Sequence, residues 1–259
     1  AICLCNYLWV YGFCGLPLDV FIADMKMYLS ELKLCQQDFL LAFLLPDFHV
    51  ALSLSGQSDD PLTISWHTIQ QSDHFAYNTS IAEQHPAHLK LLYAQIFNAL
   101  ILDDNRTIRR GLNSILARKK IFQRFDGTHF ANQFFVFYDG LASIAILRHD
   151  NSKEGRYRAV MNKSIQWLKR MSKAGSINCL GLLNFLVAER AALSAKKPVD
   201  VENVRNMYND AITPLTKTGF SHFAALANER VGCFMLNRGK DDYWAGHYLS
   251  AASKLYSDW

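Results

Sequence analysis

Proline and glycine are both thinly used, at 6 and 13 of 259 residues. A turn-rich β architecture or a low-complexity chain needs far more of each, so the shortage favours long helices. A strong charge of one sign is missing too. The net charge is +4, from 27 basic and 23 acidic residues, and a value that small argues by itself neither for nor against nucleic acid. Cysteines are few and dispersed: Cys3, Cys5, Cys14, Cys35, Cys179 and Cys233 sit in apolar runs. Disulfide frameworks and zinc sites use tighter, loop-placed spacing, so these read as buried free thiols in a reducing, cytoplasmic setting.

No run is clean enough to span a membrane. "AICLCNYLWVYGFCGLPL" has no charged leader and is interrupted by Asn6, Gly12, Gly15 and Pro17. "FLLAFLLPDFHVALSLSG" is broken by Pro46, Asp47 and His49. Both read as buried helices. The chain starts on Ala1 and stops in mid-pattern on Trp259, which reads as a fragment of a longer multidomain protein.

Catalytic motifs are equally scarce. There is no G-x-x-x-x-G-K-[ST] loop to cradle phosphates, no H-R-D…D-F-G set, no G-x-S-x-G and no H-E-x-x-H. His85 and His88 lie three apart around Pro86 without a carboxylate or thiol at ligand spacing, so a helix-start loop explains them better than a metal. Cys3 and Cys5 are two apart and face different sides of a helix. Terpenoid-synthase chemistry would need an aspartate-rich cluster to hold magnesium. Asp59-Asp60, Asp103-Asp104 and Asp241-Asp242 each lack the third carboxylate, and helix capping accounts for them. The expectation is therefore no catalytic, cofactor-binding or metal-binding residue in this segment.

What is present is helical periodicity. Amphipathic runs at about 221–237 and 241–258 are separated by a turn at Gly239, and runs at about 178–194 and 200–218 precede them, broken at Pro198 and stopped at Gly219. Runs at about 131–149 and 153–174, and at about 87–102 and 105–123, repeat the arrangement. Looser pairs fall at about 2–14 and 17–34, and at about 36–55 and 61–82, with 60–86 the least regular stretch. The first helices recur at a period of about 43–47 residues, which predicts an all-α fold: an α-solenoid of stacked antiparallel hairpins over residues 1–259.

Inside the last hairpin, Gly232 on the first helix and Ala245, Leu249 and Ala252 on the second follow tetratricopeptide-like spacing. Small residues there let two backbones approach, while Phe234, Tyr248 and Leu255 fill the layers between. The turn at Gly239 and the overall period both exceed the repeat of about 34 residues in true tetratricopeptides, so the pattern is TPR-like.

The order "LSLSGQSDDP", "FFVFYDGLASIA" and "YNDAITPLTKTGFSHFAALANERVGCFMLNRGKDDYWAGHYLSAASKLYSDW" resembles the helical-repeat region of large signalling proteins. In those, a serine/threonine-kinase-like domain and an AAA/STAND-type ATPase precede the repeats, and a sensor and histidine kinase often follow. The resemblance is firmest from residue 130 to 259. It places Glu229 at the acidic position after "LAN", Gly239 at the hairpin turn and Tyr256 to Trp259 at the closing aromatic motif. It implies a non-catalytic protein–protein interaction and regulatory region, partnered by other domains of the same polypeptide or by another protein. The alternatives are a free-standing helical scaffold and an all-α enzyme with a site in a helical cavity.

One charge run stands out. In "NRTIRRGLNSILARKKIFQRF", Arg106, Arg110, Lys120 and Arg124 share a face opposite Ile108, Leu112 and Ile115. A solvated outer face explains them; an acidic-partner patch is the sharper reading. Polar reader residues at fixed repeat positions, as in RNA-reading repeats, are not found, so no nucleic acid partner is expected. Trp9, Tyr11, Tyr93, Phe137, Tyr138 and Tyr243 read as core wedges, or as a lining for a concave groove.

Overall fold

The computed structural model of the chain describes residues 2–58, 60–65, 86–122, 131–149, 155–195 and 197–259. Among them are eleven α-helices and no strand. The fold is all-α, which the shortage of proline and glycine favours. Two compact units divide the chain, residues 1–129 and 130–259.

The first unit contains α1 (Ile2–Phe13), α2 (Leu18–Leu34), α3 (Asp38–Leu54), α4 (Pro86–Ile101) and α5 (Asn105–Phe122). Helix α2 packs on α3, α3 on α4, and α4 on α5. Its core joins Phe21, Met25 and Leu29 of α2 to Leu41, Leu44, Leu45 and Phe48 of α3 and Leu91 of α4. Each such side chain, fully removed from water, contributes about 1.5–3 kcal/mol. Helix α3 keeps Pro46 within it, at a buried position. Proline there removes one intrahelical hydrogen bond. The expected helix at 61–82 does not start at 61: residues 61–65 are turn and irregular, and 66–82 lie outside the described residues. Polar side chains hold this irregular connector in place. The Asn98 amide donates to the Pro61 carbonyl at 2.5 Å, the Ser53 hydroxyl to Asn98 Oδ1 at 3.0 Å, and the Gln95 amide to the Ile64 carbonyl at 2.6 Å.

The second unit is three antiparallel hairpins: α6 (Asn132–His149) with α7 (Gly155–Lys173), α8 (Asn178–Ser194) with α9 (Pro198–Lys217), and α10 (Ser221–Phe234) with α11 (Asp242–Asp258). The first helices of the last four hairpins begin at Pro86, Asn132, Asn178 and Ser221, close to the spacing expected from periodicity. Helices α7 and α9 are stopped by Gly175 (φ 95°) and Gly219 (φ 81°), whose left-handed backbone suits glycine. Bonds from Ser176 N to Met171 O (3.0 Å) and from Phe220 N to Leu215 O (2.9 Å) close both ends. Pro198 marks the break between α8 and α9 as expected, and stands as the first residue of α9, where its missing N–H is no loss.

Sequence asymmetry between the two helices of a hairpin sets their roles. Helix α6 buries residues on all sides, from Gln133 to Leu147, and α10 does so from His222 to Asn228. Helices α7 and α9 bury one stripe each. A helix apolar around its whole circumference belongs inside, and an amphipathic one covers it.

Candidate functional site

A glycine marks the helix–helix contact in each of the last four hairpins. A Cβ placed on Gly232 would sit 2.7 Å from Leu249 Cγ and 3.2 Å from the Leu249 nitrogen. One on Gly181 would lie 2.8 Å from Leu215 Cδ2 and 3.1 Å from its nitrogen. On Gly140 it would lie 2.6 Å from Leu186 Cδ1 of α8 and 3.0 Å from Ser164 Cβ of α7, and on Gly111 2.8 Å from Ile96 Cγ1. No Cβ fits at those distances without displacement, so each pair of helices approaches as closely as it does because glycine is there. Spacing in the sequence points to Gly232 and Leu249. It does not single out Gly111, Gly140 and Gly181, although a glycine inside an uninterrupted helical period is itself the signal.

The other residues of the repeat motif also lie in the last hairpin. Ala245 and Ala252 are buried, as are Phe234 and Tyr248. Trp259 stacks on His222, with ring centroids 5.2 Å apart and planes inclined by 27°. The Tyr256 hydroxyl donates to Glu229 Oε2 at 2.8 Å, joining two positions of the family-like motif. The turn differs from expectation. Helix α10 runs into a π-helical segment, Met235–Gly239, and the left-handed residue is Lys240 (φ 50°), not Gly239. Gly239 serves proximity instead: a Cβ on it would lie 3.1 Å from Met235 Cε and 3.3 Å from Val201 Cγ1 of α9.

Two polar clusters are built into the apolar interior. Glu189 of α8, 1% exposed, accepts from Arg148 of α6 and from the Tyr208 hydroxyl of α9 at 2.6 Å. Burial and the adjacent carboxylate push the Tyr208 hydroxyl well above the usual tyrosine range. The α8 carboxylate is thus satisfied from two other helices at once, which ties the three in register. In the first unit, Lys90 of α4 pairs with Asp47 of α3 at 2.8 Å and lies 5.2 Å from the Phe13 ring centroid. Burial lowers the Lys90 ammonium and raises the Asp47 carboxyl, and each partner opposes the other's shift. Burial also drives His49 down to about 4 and His222 to about 3.

Of the aromatic candidates, Tyr11, Tyr93, Phe137 and Tyr138 are buried and act as wedges. Phe137 contacts Phe185 (centroids 5.7 Å) and Phe223 (5.1 Å), and Phe134 meets Phe220 at 5.4 Å. These contacts join α6 to α8 and to the start of α10. Tyr243 is 75% exposed. The Trp9 side chain lies outside the described residues.

Two of the three aspartate pairs cap helices as expected; Asp60 instead accepts from the Leu62 nitrogen at 3.2 Å in an irregular turn, and Asp59 lies outside the described residues. Asp104 Oδ1 accepts from the Arg106 nitrogen at 3.1 Å, and Asp241 Oδ1 from the Trp244 nitrogen at 3.1 Å. The cysteine expectation needs correction. Cys14, Cys35, Cys179 and Cys233 are free thiols, but only Cys179 is buried; Cys35 and Cys233 are exposed. Cys35 follows the last turn of α2 and Cys233 points off α10, positions that an apolar run alone does not distinguish from the core.

Within the basic run, Arg106 and Arg110 of α5 are exposed on one face, opposite the buried Ile108, Leu112 and Ile115. The Lys120 side chain and Arg124 lie outside the described residues. A second basic helix goes beyond the expectation from sequence: α7 holds Arg156, Arg158, Lys163, Lys169, Arg170 and Lys173, all exposed. Its signal is a helix-length stretch with no acidic residue. Among the described residues no three His, Cys, Asp or Glu side chains gather as a metal site, and no helix is long and apolar enough to cross a membrane. Comparison with protein families, with curated proteins and with solved structures finds no match to this chain.

Proposed function

We propose that this chain is a TPR-like α-solenoid that works by binding: a protein–protein interaction and regulatory region within a cytoplasmic signal-transduction ATPase/kinase. The observation that carries this reading is the recurrence, four times along the chain, of an antiparallel hairpin closed through a glycine. A unit that buries its apolar stripe by packing on the next hairpin extends a surface without building a pocket. The Glu229–Tyr256 bond and the Trp259–His222 stack give the residues of the family-like motif a structural task, which supports the resemblance. Partner capture would shift the attached catalytic domains between inactive and active arrangements through differential affinity for the two. The segment itself supplies no chemistry in this reading.

The test is ATP turnover. The 259-residue chain alone is expected to hydrolyse none above background, while the parent polypeptide carrying Gly232→Leu is expected to keep basal turnover and lose its response to partner. Turnover by the isolated chain at a rate of about 1 per second, ordinary for an enzyme, would overturn the non-catalytic reading.

A further inference from the structure

Helix α7 carries six basic residues and no acidic one. Its apolar stripe, Tyr157, Met161, Ile165 and Leu168, is buried. The Arg156 side chain is held locally, Nη2 donating to the Tyr157 hydroxyl at 2.6 Å. Among the described residues no carboxylate pairs with Arg158, Lys163, Lys169, Arg170 or Lys173. At helical spacing, Arg158 and Lys169 stand along one rim of the exposed face and Lys163 and Arg170 along the other, with Asn162, Gln166 and Lys173 between them. Eleven residues separate the first pair and seven the second, or about 16 Å and about 10 Å along the axis.

This arrangement is not what a merely solvated face needs. Solubility is served by interspersed signs, and like charges one turn apart, as at Lys169 and Lys173, oppose the helix. Helix α5 repeats the bias, with six basic residues and no acidic one. Together the two helices hold twelve of the chain's 27 basic side chains and none of its 23 acidic ones, so the remainder of the chain is net acidic.

We propose that the exposed face of α7 binds the phosphate backbone of a nucleic-acid duplex without reading its bases. Charge and shape select this partner. The face is a narrow double row of cations, matched to a linear polyanion. No large apolar side chain of α7 is exposed, so a protein partner would find no apolar anchor there, and isolated surface ion pairs bind weakly. A membrane-surface helix inserts its apolar stripe, but this one is occupied in the core. A duplex, by contrast, releases condensed counterions for every phosphate neutralised, and Asn162 and Gln166 offer the amide contacts commonly made to phosphate and sugar. With half its circumference packed, α7 lies across a backbone and does not enter a groove. The lack of base-reading residues at fixed repeat positions agrees with contact to the backbone alone.

The test is fluorescence anisotropy of a labelled mixed-sequence DNA duplex, and of the same duplex as RNA, with the 259-residue chain in a salt series from about 50 to about 200 mM. Binding is expected, with log affinity falling linearly against log salt. The triple variant Lys163→Gln, Lys169→Gln, Arg170→Gln is expected to flatten that slope by about 2.7, at about 0.9 for each phosphate left without its cation. Glutamine keeps helix propensity, and a control triple at exposed positions of the same unit, Lys217→Gln, Arg238→Gln and Lys254→Gln, is expected to leave the slope unchanged. No duplex binding at the lowest salt, or equal slopes for both triples, would overturn the proposal. So would stronger binding to phosphatidylserine-containing vesicles, which makes the face a membrane contact, or to polyglutamate, which makes it a site for an acidic polypeptide.

Discussion

Tyr256, near the end of the last helix, donates its hydroxyl to Glu229 Oε2 at 2.8 Å on the preceding helix. The bond ties the closing aromatic motif to the acidic position of the first helix, so the hairpin is latched at its open end, far from the turn at Lys240. Burial and the Glu229 carboxylate hold the Tyr256 hydroxyl well above the ordinary tyrosine range. Removing it with Tyr256→Phe is expected to lower stability by about 1.5 kcal/mol, the net value of a hydrogen bond to a charged group. Urea denaturation of the variant should show a lower midpoint with an unchanged slope; an unchanged midpoint would mean that the latch carries nothing.

Tyr208 and Tyr256 together set an alkaline limit. In the unfolded chain a tyrosine ionises near its reference value of about 10, whereas these two hold their protons in the folded state beyond that. Above the unfolded value the native state therefore binds more protons than the unfolded one, and stability falls as pH rises. Denaturation followed from neutral pH to about pH 11 should show this fall, and the double variant Tyr208→Phe, Tyr256→Phe should flatten it.

At acid pH the buried histidines act in the opposite direction. His222, lowered to about 3, and His49, lowered to about 4, stay neutral in the folded state while the unfolded chain takes up protons near 6.5. Their stabilising contribution is complete above the unfolded value and is lost as pH falls towards the folded ones. Each histidine accounts for about 1.4 kcal/mol per pH unit in that window. His222→Phe is expected to reduce the slope of stability against pH between about 6 and about 4 by one proton's worth.

Glycine contacts give a matched pair of substitutions. Gly181→Ala puts a Cβ 2.8 Å from Leu215 Cδ2 and close to backbone, and is expected to destabilise by about 1–3 kcal/mol. Gly246→Ala, within α11 and with nothing inside 4 Å, is expected to stabilise by about 0.5–1 kcal/mol. Thermal denaturation of both variants measures the contrast. Two shifts of the same sign would remove the helix-proximity explanation.

Sequence periodicity locates most helices closely. The run expected at about 178–194 is α8, Asn178–Ser194, and the run at about 105–123 is α5, Asn105–Phe122. Periodicity succeeds because the 3.6-residue repeat is a local property. It fails at 61–65, where a few hydrophobic residues mimic a helical stripe but Asn98, Ser53 and Gln95 hold the backbone in an irregular path from other helices. It also misses the π segment at Met235, because a wider turn changes hydrogen bonding without changing composition. The Glu189 cluster and the Lys90–Asp47 pair join helices through residues well separated along the chain. Each partner alone looks like an ordinary surface charge. The phenylalanines at 134, 137, 220 and 223 are legible as core, but their meeting across α6 and α10 is a property of how hairpins stack and has no local trace.

The proposed role as a regulatory region of a larger signalling protein is tested most directly by sequencing the transcript beyond both ends of this chain. A G-x-x-x-x-G-K-[ST] loop and a kinase motif set encoded upstream, in frame with Ala1, is the predicted result. Stop codons directly on both sides, or unrelated flanking domains, would contradict it.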